Sequence, residues 1–120
     1  MKILIIDDED DIRRTICMSL ERVGKLQVCD ADSGPAGVSA ARREKPDAIL
    51  LDVMMPGMEG PAVLTALRDD PGTAKIPVIF LTAGLAPGEL MRLKRLGAAG
   101  VIAKPFDPMT LSKQILELLA

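Results

Sequence analysis

The chain has 120 residues, 48% of them hydrophobic and 27% charged, which suits one soluble globular domain spanning residues 1–120. It has no His, Trp or Tyr and only two Phe, which excludes Ser-His and Cys-His nucleophiles, His-ligated zinc, an imidazole pH switch and aromatic platforms for single-stranded nucleic acid. Seventeen acidic residues against fifteen basic ones give a net charge of −2, the wrong sign for coating DNA, so no direct nucleic-acid binding is expected.

Residues 3–6 form a short β-branched run suited to a strand buried on both faces. This apolar start runs straight into Asp7-Asp8-Glu9-Asp10-Asp11, so no signal peptide is expected. No apolar run approaches the roughly 18 residues of a membrane span, and no membrane contact is expected. Ile12, Ile16, Leu20 and Val23 then recur at helical spacing, with Gly24 as the stop. Residues 26–29 make a second, shorter strand. Ser33-Gly34-Pro35 opens a second helix and Lys45-Pro46 closes it. Residues 48–51 are a third apolar run, closed by Asp52. Pro56-Gly57 and Gly60-Pro61 punctuate the loop before a third helix through Val63, Leu64 and Leu67.

A turn at Asp70-Pro71-Gly72 leads to a fourth strand at residues 76–81. Residues 87–96 carry a helix with Leu90, Leu93 and Leu96 on one side, stopped by Gly97, and residues 101–103 are a fifth strand. Asp107 as N-cap and Pro108 at the first helical position start a last helix through Leu111, Ile115 and Leu118. Cys17 and Cys29 form neither a CxxC nor a metal spacing; they read as two small buried apolar residues in a reducing, cytoplasmic setting.

Five strands alternating with five helices predict an α/β fold, a parallel sheet covered on both faces by right-handed crossovers. In a doubly wound sheet, sites form beyond the carboxyl ends of the strands. There the sequence places Asp7-Asp8 after the first strand, Asp52 after the third, Thr82-Ala83 after the fourth and Lys104-Pro105 after the fifth. Each has an ordinary explanation when taken alone. Acids before a helix complement its dipole, the reading kept for Asp10 and Asp11; a lone Lys is a solvated face; a strand-end Asp or Thr is a turn residue. Their joint placement on one edge points to chemistry. Three clustered carboxylates repel one another unless a cation intervenes, and oxygen-only donors suit Mg²⁺. A carboxylate beside Mg²⁺ can attack phosphorus to give an aspartyl-phosphate, with Lys104 balancing charge on the phosphoryl oxygens and Thr82 donating to one of them.

The segments Ile3-Leu4-Ile5-Ile6-Asp7-Asp8-Glu9, Leu51-Asp52-Val53-Met54-Met55-Pro56-Gly57-Met58-Glu59-Gly60, Leu81-Thr82-Ala83 and Gly100-Val101-Ile102-Ala103-Lys104-Pro105-Phe106 closely resemble the receiver domain of two-component response regulators. The resemblance covers essentially the whole chain. It implies a flavodoxin-like (βα)5 fold with strand order 2-1-3-4-5 and a cis Lys104-Pro105 bond. It implies that Asp52 accepts a phosphoryl group from a histidine of a separate sensor kinase or phosphotransfer protein. Asp8 and Asp52 are expected to ligate Mg²⁺ through their side chains, Met54 through its backbone carbonyl and Asp7 largely through water. Lys104 is expected to contact the phosphoryl group, Thr82 to close on it and Ala83 to leave room for its approach. The domain would then catalyse only its own phosphoryl transfer and slow autodephosphorylation, and would switch binding to a downstream effector domain or protein. A weak dimer is compatible with this reading, as is either a stand-alone receiver or part of a longer regulator, because the last helix finishes at Ala120.

Two departures from the family pattern stand out. Val101 occupies a position where receivers often carry Tyr or Phe, so the aromatic half of the usual relay to the surface is missing. Met54 and Gly84 stand two residues after Asp52 and Thr82, where side chains influence attack by water on the phosphoryl group; an apolar Met54 predicts a longer-lived phosphorylated state. The competing reading is a receiver-like scaffold that binds partners regardless of phosphate, whose sign would be loss of an acidic, Thr or Lys position. A haloacid dehalogenase would need a second Asp where Met54 stands, and a flavodoxin would need a phosphate-cradling loop where the five acids stand.

Overall fold

The computed structural model describes residues 1–84 and 87–120. Strands and helices alternate strictly: β1 (Lys2–Ile6), α1 (Asp10–Arg22), β2 (Gln27–Ala31), α2 (Gly34–Glu44), β3 (Ala48–Asp52), α3 (Gly60–Asp69), β4 (Val78–Thr82), α4 (Glu89–Arg95), β5 (Gly100–Ala103) and α5 (Leu111–Leu119). All strand pairs are parallel, in the order β2-β1-β3-β4-β5, which is the expected flavodoxin-like winding. The winding reverses between β1 and β3, and a crevice past their carboxyl ends follows from that reversal.

The pleat divides the apolar residues between two layers. Ile3, Ile5, Ala48, Leu50, Ile79, Leu81 and Ile102 meet Ile16 and Leu20 of α1 and Leu111 and Ile115 of α5. Leu4, Ile6, Ile49, Leu51, Val78 and Phe80 meet Val38 and Ala41 of α2 and Val63, Leu64 and Leu67 of α3, together with Leu93 of α4. Because the inner strands are covered on both faces, their sequences are continuous apolar runs rather than alternating ones. Local signals agree with this packing. Ser33 caps α2, its side chain accepting from the Ala36 amide at 3.2 Å, and Lys45 ends that helix in the left-handed region just before Pro46.

Several boundaries differ from expectation for identifiable reasons. β4 begins at Val78 rather than residue 76 because Pro77 contributes only a carbonyl, to the Ile49 amide at 2.9 Å. α5 begins at Leu111, not Pro108: Asp107 caps a separate turn, its Oδ1 accepting from the Met109 amide at 2.9 Å and its carbonyl from the Thr110 amide at 3.0 Å. α4 is a seven-residue helix bracketed by Gly88 and Gly97, both at positive φ. Of its expected apolar face only Leu93 is buried, while Leu90 and Leu96 are 39% and 40% exposed. Cys17 and Cys29 are free and half-buried rather than buried, one in each layer, and burial pushes the Cys17 thiol up to about 11. The Lys104-Pro105 bond is cis. Among the described residues no helix is long and apolar enough to cross a membrane.

Candidate functional site

Every strand-end residue selected from the sequence lies at the carboxyl edge of the sheet. Asp7 and Asp8 follow β1, Asp52 is the last residue of β3, Thr82 is the last of β4 and Lys104 follows β5. The registers set Asp52 opposite Leu81 and Thr82 opposite Ala103, which brings residues far apart in the chain onto one edge. Asp7 is 1% exposed, and Asp52 and Thr82 are 4% exposed. One oxygen from each of Asp7, Asp8 and Asp52 lies within 4.8 Å of the others. Lys104 Nζ reaches in to 3.5 Å from Asp52 Oδ1 and 3.6 Å from Asp7 Oδ2.

One ammonium facing three carboxylates leaves the pocket electrostatically undersupplied. Burial, reinforced by the charge of Asp7, pushes the Asp52 carboxyl up to about 6. Lys104 and the Met54 amide, which donates to Asp52 Oδ1 at 3.4 Å, offset only part of this. Asp7 Oδ1 accepts from the Glu9 amide at 2.9 Å, but Asp7 Oδ2 is buried without a hydrogen-bond partner among the described residues. Such an orphan costs about 1–3 kcal/mol, and a cation would satisfy it. Oxygen-only donors around an orphaned carboxylate oxygen are the donor set that a hard divalent ion such as Mg²⁺ takes, so the residues present fit that ion.

The flanking positions are equally specific. The Thr82 hydroxyl donates to the Gly84 carbonyl at 3.0 Å, so it is turned onto its own loop. A Cβ built on Gly84 would meet no atom of the described residues within 4 Å, and the Met54 residue is 66% exposed beside the pocket. Ala83 and Lys104 line an apolar cavity of about 420 Å³ together with Ile12, Thr15, Phe106 and Pro108. Val101 pairs with Phe80 and packs on the α2/α3 layer as a half-buried aliphatic residue. Gly60, where α3 begins, permits a close approach: a Cβ there would stand 2.6 Å from the Asp52 carbonyl oxygen.

Sequence reasoning passed over Arg13. Its guanidinium donates to the Asp7 carbonyl, Asp10 and Asp30, at the turn that carries Asp7 and Asp8. A signal for it does exist in the sequence: a cation in the opening turn of α1 opposes the helix dipole and calls for partners nearby.

An acidic pocket, a lysine and a threonine gathered at the carboxyl edge of a doubly wound parallel sheet define a domain of the flavodoxin-like α/β class with its site beyond the strand ends. Residues 3–116 match the response regulator receiver domain, and the chain belongs to that family. It is 40% identical over 119 residues to the protein PilH of Pseudomonas aeruginosa, covering 99% of this chain and 98% of PilH. It is 38% identical over 117 residues to the response regulator PleD of Caulobacter vibrioides, covering 98% of this chain but only 26% of PleD. Among solved structures, that of the chemotaxis protein CheY4 of Vibrio cholerae superposes with a TM-score of 0.90 at 32% identity, covering 98% of this chain and 97% of that one. Membership implies phosphorylation-dependent signalling, by modules that are in general not enzymes.

Proposed function

We propose that residues 1–120 act as one cytoplasmic receiver in which Asp52 is phosphorylated by a phosphohistidine of a partner sensor kinase or phosphotransfer protein, and that this switches binding to a downstream effector. Asp7, Asp8 and Asp52, with the backbone carbonyl of Met54, would hold Mg²⁺. When bound, the ion supplies charge neutralisation to the pocket and to the phosphoryl oxygens. The Asp52 carboxylate attacks phosphorus, an oxygen–phosphorus bond forms, the nitrogen–phosphorus bond breaks and the donor imidazole leaves with its electron pair. Because these 120 residues contain no histidine, the donor imidazole must lie outside them.

Lys104, already 3.5 Å from Asp52 Oδ1, is placed to pair with the new phosphoryl charge once it forms. Thr82 would exchange its bond to Gly84 for a phosphoryl oxygen, which frees the Gly84 carbonyl. With Val101 lacking a ring, the readout passes through loop and helix shifts. The single observation that carries this reading is the orphaned Asp7 Oδ2 facing Asp52 and Lys104 in a buried acidic pocket.

The test is incubation with Mg²⁺ and a small acyl-phosphate donor, followed by intact mass. One added phosphoryl group, absent in Asp52→Asn and after chelation, is expected. No adduct on folded protein overturns the proposal in favour of a phosphate-independent scaffold.

A further inference from the structure

Arg13 makes three bonds to three different parts of the fold. Nη1 donates to the Asp7 carbonyl at 2.9 Å, Nη2 to Asp10 Oδ1 at 2.7 Å and Nε to Asp30 Oδ2 at 2.7 Å. The acceptors belong to the turn after β1, to the start of α1 and to β2. The Asp7 carbonyl is the oxygen of the peptide that joins Asp7 to Asp8. A peptide unit is planar, so a donor fixed on that oxygen sets the plane and, with it, the directions in which both carboxylates leave the backbone. The Asp7 amide is held separately, by the Ala31 carbonyl at 3.2 Å.

We propose that Arg13 is a positioning residue for the acidic pocket, holding the Asp7–Asp8 peptide so that the two carboxylates and Asp52 can share a divalent cation. The inference rests on the Mg²⁺ reading above. Two features argue against a purely stabilising role. The carboxylate partners of Arg13 are well exposed, at 71% for the Asp10 side chain and 49% for that of Asp30, and exposed pairs contribute little stability on their own. The Arg13 side chain is only 16% exposed, and all three of its nitrogens are occupied by acceptors that orient the guanidinium plane. The two carboxylates therefore act as guides that aim the third bond at the Asp7 carbonyl. Lysine offers a point charge in place of a rigid fork and cannot reproduce that aim.

The test is a Mg²⁺ titration of the full chain followed by amide NMR at Asp8 and Asp52, since the chain has no Trp or Tyr to report by fluorescence. Arg13→Ala is expected to weaken Mg²⁺ affinity about tenfold or more, the usual range for removing a group that orients a ligand. Arg13→Lys is expected to recover little of it, and Asp30→Ala to show a smaller loss. Unchanged affinity in Arg13→Ala, with a lowered thermal midpoint in chelator, overturns the proposal and leaves Arg13 a structural tie. If Arg13→Ala does not fold, unchanged affinity in both Arg13→Lys and Asp30→Ala overturns it equally. Absence of any Mg²⁺ response in the unsubstituted protein has a different meaning: the Mg²⁺ reading itself falls, and this inference with it.

Discussion

Asp52 sits where its own charge is disfavoured, and that has a measurable cost. Its carboxyl is raised from 3.8 to about 6, first by burial and then by Asp7. The folded protein therefore holds this proton more tightly than the unfolded chain does. Stability falls as pH rises from about 4 to about 6, and the loss is complete above that window. In chelator at pH 7.5, Asp52→Asn is expected to be more stable than the parent by an amount of order 2–3 kcal/mol, about 8–12 °C in thermal midpoint, with the gain vanishing near pH 4. A midpoint at pH 7.5 no higher than the parent's would contradict this account. Met54 bears on the same carboxylate from outside. Its exposed thioether cannot orient water, and a Cβ on Gly84 would meet nothing within 4 Å among the described residues. Met54→Asn is expected to speed loss of radiolabelled phosphate several-fold, and slower loss in the variant would count against a protective role for Met54.

At the scale of elements, the approach of α3 to β3 is decided by one missing side chain. The Gly60 amide donates to the Val53 carbonyl at 2.9 Å, and a Cβ would meet the Asp52 carbonyl oxygen at 2.6 Å, Val53 Cα at 2.9 Å and Phe80 at 3.0 Å. Two of those three neighbours are backbone and cannot rotate away. Gly60→Ala is expected to push α3 off β3 at a cost of about 1–3 kcal/mol, read as a lower urea midpoint, and to slow formation of the proposed Asp52 adduct. Gly57→Ala is the comparison: its Cβ meets nothing within 4 Å, but φ is +81°, so its cost is backbone strain of about 1–2 kcal/mol without displacement of α3. Equal adduct rates in the two variants would remove α3 seating from the argument. The existence and order of these elements were legible in the sequence because apolar runs and Gly/Pro breakers are local. Strand order came only through the family resemblance, since pairing joins residues far apart in the chain. The true starts of β4 and α5 depended on which groups find partners around Pro77 and Asp107, which no local pattern states. The acid trio, Thr82 and Lys104 were legible as strand-end residues, whereas the turn of Thr82 toward Gly84 and the fork of Arg13 exist only once the chain has folded.

In the whole molecule, the pocket joins residues from Asp7 to Lys104 and exists only when β1, β3, β4 and β5 are all paired. Its integrity is thus tied to the global stability of the sheet. The strands that carry Asp7 and Asp52 have both faces covered and every apolar side chain buried. α4 is the opposite case, with seven residues, one buried side chain and a glycine at positive φ on either side. A helix so lightly anchored is expected to open without unfolding the sheet, and in the chain it follows Gly84, whose carbonyl Thr82 holds. Hydrogen exchange is therefore expected to show β1 and β3 amides exchanging only through global unfolding. The amides of α4 should exchange at least about 100-fold faster through local opening, a gap of about 2.7 kcal/mol. Phosphorylation that redirects Thr82 should change the exchange of α4 and leave β1 and β3 almost untouched. Equal protection in α4 and β3 would mean that the helix opens only together with the sheet, and would remove α4 as the element through which a change at Asp52 reaches the surface.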